Sequence, residues 1–224
     1  MRYRQLVLEH LHVSDPLAAG VHALAVPGLA DGFAAVLGAH RFLHNDAVSL
    51  PRLIEPPHRL ARQWRQQHPH AWGLVIHDWS LLRYPGHTRK TDQLTVNHGR
   101  GYELTNLLLV EGDAGDPVAP LEVRLRSARG VFSTRTPAPA RQAFRIDEVL
   151  PSMQAVAALG LAAPLVHVID READALAPYR AWQAAGHHFL VRAKGGRLVR
   201  WQGAEVKLAD LAGRLSFRRC REVT

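Results

Sequence analysis

The run Val166-His167-Val168-Ile169, followed at once by Asp170-Arg171-Glu172-Ala173-Asp174, constrains the fold of this chain more than any other stretch. A short apolar run reads as a buried strand. Here it ends in a charge cluster holding three carboxylates within five residues. Crowded carboxylates repel one another unless a cation or an arginine neutralises them. Glu172 and Asp174 suit the start of a helix, where acids complement the dipole. Asp170 sits at the carboxyl end of the strand, where α/β sheets place their ligands.

A second strand of the same kind lies upstream, in Trp72-Gly73-Leu74-Val75-Ile76-His77-Asp78. If the two strands are neighbours, Asp78 and Asp170 come within about 5 Å of each other, the interstrand spacing. That is close enough to share divalent ions, and oxygen ligands select Mg²⁺ or Mn²⁺. An aspartate after a strand also serves as a turn residue or helix cap, and that alternative stays open on the residues alone. His77 points to the opposite sheet face from Asp78 and is expected to pack rather than to catalyse.

The surrounding blocks resemble a known family, the DDE transposases of bacterial cut-and-paste insertion sequences, in the branch marked by D-R-E-A-D. Asp170-Arg171-Glu172-Ala173-Asp174, with Tyr179-Arg180-Ala181-Trp182 behind it, is similar to the second-aspartate block. His77-Asp78-Trp79-Ser80 resembles the first-aspartate block, usually H-D-T-T. His188-Phe189-Leu190-Val191-Arg192-Ala193-Lys194 resembles the strand that follows, and Ala39-His40-Arg41-Phe42-Leu43-His44-Asn45 the A-x-R-F-x-x-N segment. The blocks keep the family's order and cover most of the chain from about residue 30. The family's third acid, a Glu within Y-x2-R-x3-E-x6-K, has no counterpart. Only 54 residues follow Asp170, no tyrosine follows Tyr179, and Glu205 and Glu222 lack the signature's neighbours.

The resemblance implies a ribonuclease-H-like α/β fold: a three-strand meander, then helix, strand, helix, strand, with the last part of the core missing. It implies that Asp78 and Asp170 are the catalytic and metal-binding pair, with Mg²⁺ or Mn²⁺ as cofactor. It implies metal-dependent DNA strand cleavage and transfer, transposon-end double-stranded DNA as partner, a homodimer on that DNA, and a bacterial cytoplasmic, nucleoid-associated setting. The alternative is a truncated, catalytically inactive chain that binds DNA or dimerises as an inhibitor. Three regions are expected: 1–70, helical and DNA-binding; 71–195, a partial catalytic core; and 196–224, the basic start of a β-rich insertion.

Charge supports a nucleic-acid partner without deciding for one. The net charge is +8, and nine basic residues face three acids between Arg192 and Glu222. An acidic polymer is the common partner of such a surface. Arg59, Arg62 and Arg65 recur every three residues on a predicted short helix ending before Pro69 and suggest a basic face. Arg171 could neutralise the acid cluster or touch phosphate, and Arg192 and Lys194 alternate outward on the last strand and could line a DNA path. For each of these, a solvated surface is the plain alternative. Pro51, Pro56 and Pro57 are expected to break the N-terminal region into pieces.

In the predicted third strand, Leu121, Val123 and Leu125 share one face and Glu122, Arg124 and Arg126 the other. Helices are predicted over 29–43, 146–159 and 173–185, the last two closed by Gly160 and Gly186. Trp182 is expected to anchor its helix in the core. The single cysteine, Cys220, permits no intrachain disulfide, and no apolar run approaches bilayer length. No phosphate-cradling loop, nucleophile elbow or zinc-ligand spacing is present, which sets aside NTPase, serine-hydrolase and zinc-site readings.

Overall fold

The computed structural model describes residues 32–215, apart from 85, 87–88, 97–98 and 162–163. Cys220 and the three arginines at 218, 219 and 221 lie outside the described residues, as do the first three residues of the helix expected over 29–43. The chain divides into two compact units, Met1–Leu53 and Ile54–Thr224. The boundary falls earlier than residue 70, so the later turns of the second helix belong with the sheet.

In the first unit α1 spans Gly32–Leu43. α2 spans Leu50–Gln67, and Pro51, Pro56 and Pro57 do not break it. Pro51 sits in the first turn, where a missing N–H costs nothing. Pro56 and Pro57 lie inside the helix, which continues because Ile54, Ala61 and Arg65 are buried along it. Burial of a helical face outweighs local propensity here.

The second unit is α/β, with a mixed, largely antiparallel sheet. Its strands are β1 (Gly73–Leu82), β2 (Leu94–Val96), β3 (Gly99–Glu111), β4 (Pro117–Ser127), β5 (Gly130–Ser133), β6 (Thr136–Ala140), β7 (Leu165–Ile169) and β8 (His188–Val191). The spatial order is β6-β5-β4-β3-β1-β7-β8, with β2 beside β3. β1, β3 and β4 form an antiparallel meander. β7 runs parallel to β1, and β8 parallel to β7. Parallel neighbours need a crossover. A 3₁₀ turn (Arg145–Glu148) and α3 (Val149–Ala157) supply the first; a 3₁₀ turn (Arg171–Ala173) and α4 (Leu176–Ala184) supply the second. Gly160 and Gly186 follow these helices with φ of 65° and 78°, a left-handed conformation that glycine adopts without a Cβ clash. A two-stranded ribbon, β9 (Leu198–Trp201) with β10 (Ala204–Lys207), and α5 (Leu208–Arg214) complete the described chain.

One face of the sheet carries the core. Val75, Leu107 and Leu109 pack with Ala61 of α2 and Val156 of α3. Ile169 packs with Val149 and Met153 of α3 and with Trp182 of α4, which is 1% exposed and is the anchor expected of it. The opposite face holds Leu74, Ile76, Leu104, Leu108, Val166 and Val168, all only partly buried.

The sequence reading of β4 needs correction. A bulge separates the pairs Leu107↔Glu122 and Leu108↔Pro120. The extra residue, Leu121, turns into the core beside Ala119, away from Val123 and Leu125. Glu122 and Arg124 are likewise buried on the helix-covered face, at 1% and 4% exposure. They survive there as an ion-pair network. Arg124 meets Glu122 at 2.9 Å and Glu148 at 2.8 Å, and Arg135 meets the same two at 3.1 and 2.7 Å. No described helix is long and apolar enough to cross a membrane.

Candidate functional site beside the end of the parallel pairing of β1 and β7

The parallel register of β1 on β7 ends at His77↔Ile169. The next residue along each strand is the expected aspartate. Asp170 lies just past the end of β7, but Asp78 does not close its strand as expected: β1 runs on to Leu82, paired with β3. The separation of the two aspartates is of the order of the interstrand spacing, about 4.8 Å. Both belong to the rows that leave the core, after Ile76 and Val168. Both are exposed. Ser80 donates from its hydroxyl to Asp78 Oδ2 at 2.8 Å. Asp170 has Arg192 as its nearest cation, with Nη1 3.6 Å from Oδ1.

Asp78 also has a neighbour on its other side, Asn106 of β3, directly opposite in the antiparallel register. Asn106 Oδ1 is buried without a hydrogen-bond partner. It is a lone amide in the run Leu104-Thr105-Asn106-Leu107-Leu108-Leu109. Two exposed carboxylates make an all-oxygen donor set, with one orphaned amide oxygen beside it. That set suits a hard divalent cation, Mg²⁺ or Mn²⁺, and Asp78 and Asp170 are the residues that would hold it. Among the described residues, no three His, Cys, Asp or Glu side chains converge as a metal-binding group.

The rest of the acid cluster is tied up elsewhere. Glu172 is ion-paired with Arg145, which also reaches Glu103 of β3 at 2.6 Å. Asp174 is buried; it accepts from the Tyr179 hydroxyl at 2.9 Å and the Lys194 backbone N–H at 2.7 Å, and pairs with Arg197 Nε at 2.7 Å. Burial pushes the Asp174 carboxyl up, but the Lys194 N–H, Arg197 and Tyr179 outweigh it and hold its pKa below the usual carboxylate value. The Tyr179 phenol is pushed up to about 12, by burial first and by its bond to Asp174 second. Glu172 lies in the three-residue 3₁₀ turn, and Asp174 precedes α4, which starts only at Leu176. They are clamps that fix the loop carrying Asp170.

His77 is buried on the core face, and its Nε2 lies 2.9 Å from Nδ1 of His167. Burial, then His167 and Arg124, press the His77 pKa well below its usual value. His167 falls to about 4, by burial and by the nearby His187. This pair is neutral and structural.

The basic residues divide. Arg171 is exposed and, among the described residues, makes no ion pair; the arginines that neutralise the cluster are Arg145, Arg192 and Arg197. Arg192 and Lys194 are exposed but follow β8, which ends at Val191, rather than alternating along it. Arg59 is exposed; Arg62, also exposed, donates to the Leu159 carbonyl at 3.3 Å. Arg65 does not join a basic face. It is 6% exposed and donates to the carbonyls of His68 and Ala71 at 2.9 and 2.7 Å. The reason is helical geometry: each three-residue step falls about 60° short of a full turn, so the third arginine rotates inward.

Sequence reasoning missed Asn106, Arg145, Arg197 and His167. Only Asn106 left a signal, as a polar interruption of an apolar strand. Comparison with protein-family models gives no match, and comparison with curated proteins gives none either.

Proposed function

We propose that the chain is a DNA transposase of the insertion-sequence type, acting through a DDE site to which it contributes Asp78 and Asp170. The observation that carries this reading is the parallel pairing of β1 and β7, which ends one residue before each aspartate. The order β4-β3-β1-β7-β8, with a three-strand antiparallel meander and two parallel additions, is the order expected of a ribonuclease-H-like core. The D-R-E-A-D resemblance agrees with both.

A bound Mg²⁺ or Mn²⁺ would supply charge neutralisation at a scissile phosphate and activation of the attacking oxygen. Asp78 and Asp170 would hold it, with Ser80 fixing the Asp78 carboxylate. Arg171 follows Asp170 in the chain, Arg192 lies 3.6 Å from it, and Lys194 comes two residues after Arg192; all three are exposed, suited to hold a DNA backbone through salt-sensitive phosphate contacts. His77 takes no part in proton transfer, because its ring faces the core and is engaged by His167.

A second reading, a DNA-binding or dimerising chain without catalysis, is favoured by one observation. Among the described residues, no third His, Cys, Asp or Glu side chain joins the aspartate pair. Two ligands hold an ion weakly, and small misplacements cost large factors in rate. A supercoiled-plasmid nicking assay with Mg²⁺ or Mn²⁺ separates the readings. The transposase reading expects nicking that Asp170→Ala and Asp78→Ala each abolish. Salt-sensitive DNA binding without nicking supports the second. A chain that neither nicks nor binds DNA overturns the transposase reading, and one that is also monomeric overturns the second.

A further inference from the structure

We infer that Asn106 is a positioning residue of the Asp78–Asp170 site, accepting a hydrogen bond from a water in the shell of the divalent cation. The inference rests on the cation-site reading above and adds a residue to it. On its half-buried sheet face Asn106 has apolar neighbours on three of four sides. Along β3 its same-face neighbours are Leu104 and Leu108, and across β4 its register partner is Val123. Across β1 its partner is Asp78. Directly paired residues in an antiparallel ladder have Cβ atoms about 4.5–5.5 Å apart, within reach of a shared water.

A buried amide oxygen with no partner is costly and calls for an explanation. A leucine has the same number of side-chain heavy atoms and would carry no polar group to orphan. Packing therefore gives no reason for an amide here. The one ionised group beside it, Asp78, is an acceptor and cannot satisfy another acceptor. What can satisfy Oδ1 is a donor held next to Asp78. Mg²⁺ and Mn²⁺ keep several waters when only one or two carboxylates bind them, and those waters are strong donors. The amide group would fix one of them, much as outer-shell partners orient ligands in other metal sites.

The test measures Mn²⁺ affinity by electron paramagnetic resonance, and thermal unfolding of the metal-free protein, on the same variants. Asn106→Leu is expected to weaken Mn²⁺ binding by roughly ten-fold. The same variant is expected to unfold at an unchanged midpoint or one about 2–4 °C higher, because it removes an orphaned polar group. A purely structural asparagine would show the reverse: an unchanged affinity and a lower midpoint. That result overturns the inference. Asn106→Asp, which adds a charge beside the pair, is expected to bind Mn²⁺ more tightly than the parent, and a loss of affinity there contradicts the inference. Asp170→Ala is the control. If the parent chain binds no Mn²⁺ that depends on Asp170, the cation-site reading falls and this one with it. If the parent binds and Asn106→Leu binds equally well, only the role of Asn106 falls.

Discussion

His77 and Asp78 are adjacent in the chain and face opposite environments. Strand alternation requires this, and it separates a structural imidazole from an exposed carboxylate across one peptide bond. The alternation was legible in the sequence; the partner of His77 was not, since nothing local links position 77 to position 167. That partnership has a measurable consequence. The folded state disfavours protonation of His77 and His167, the latter down to about 4, whereas an unfolded histidine titrates near 6.5. Between those values the unfolded chain binds more protons, so stability falls as pH falls. Thermal unfolding across this range is expected to show a midpoint that drops on acidification, with a smaller drop in His167→Leu. A midpoint independent of pH above about 4 would contradict it. The Asp174 clamp acts in a separate window: its depressed carboxyl adds stability above the usual carboxylate range and loses it only as pH falls further.

Elements were legible where a run of one character was long. β7 spans the run Val166–Ile169 with Leu165 before it, and α3 and α4 end near their glycines. The sequence misled where tertiary contacts override a local signal. Alternation in Leu121–Arg126 promised one clean apolar face, but Pro120, which offers no N–H to the ladder, stands beside the bulge that reverses it. The hairpin of β5 and β6 was missed because Thr136-Pro137-Ala138-Pro139-Ala140 carries no strand signature. The buried ions follow from the bulge and give a prediction. Glu122→Ala leaves Arg124 and Arg135 to share Glu148 alone and is expected to cost about 3 kcal/mol in urea unfolding. Replacing Glu122 and Arg124 by leucine and methionine is expected to cost markedly less. Equal costs would show that the network is not a coupled unit.

The second unit is a sheet with helices on its core face, and the aspartate pair stands one residue past the last parallel pair of β1 and β7. The pairing of distant segments, 73–77 with 165–169, was not readable from either strand alone. It came from the family resemblance and from the order of elements, and the register of the sheet agrees with it. The net charge of +8 suits a polyanionic partner, but charge does not specify chemistry. The claim on which the account turns is that Asp78 and Asp170 share one divalent cation. Crystals soaked in Mn²⁺ and measured at the manganese absorption edge test it most directly. The account predicts an anomalous peak within about 2.0–2.6 Å of a carboxylate oxygen from each aspartate, with Asn106 alongside. A peak on one aspartate alone, or manganese bound elsewhere with the pair vacant, would contradict it.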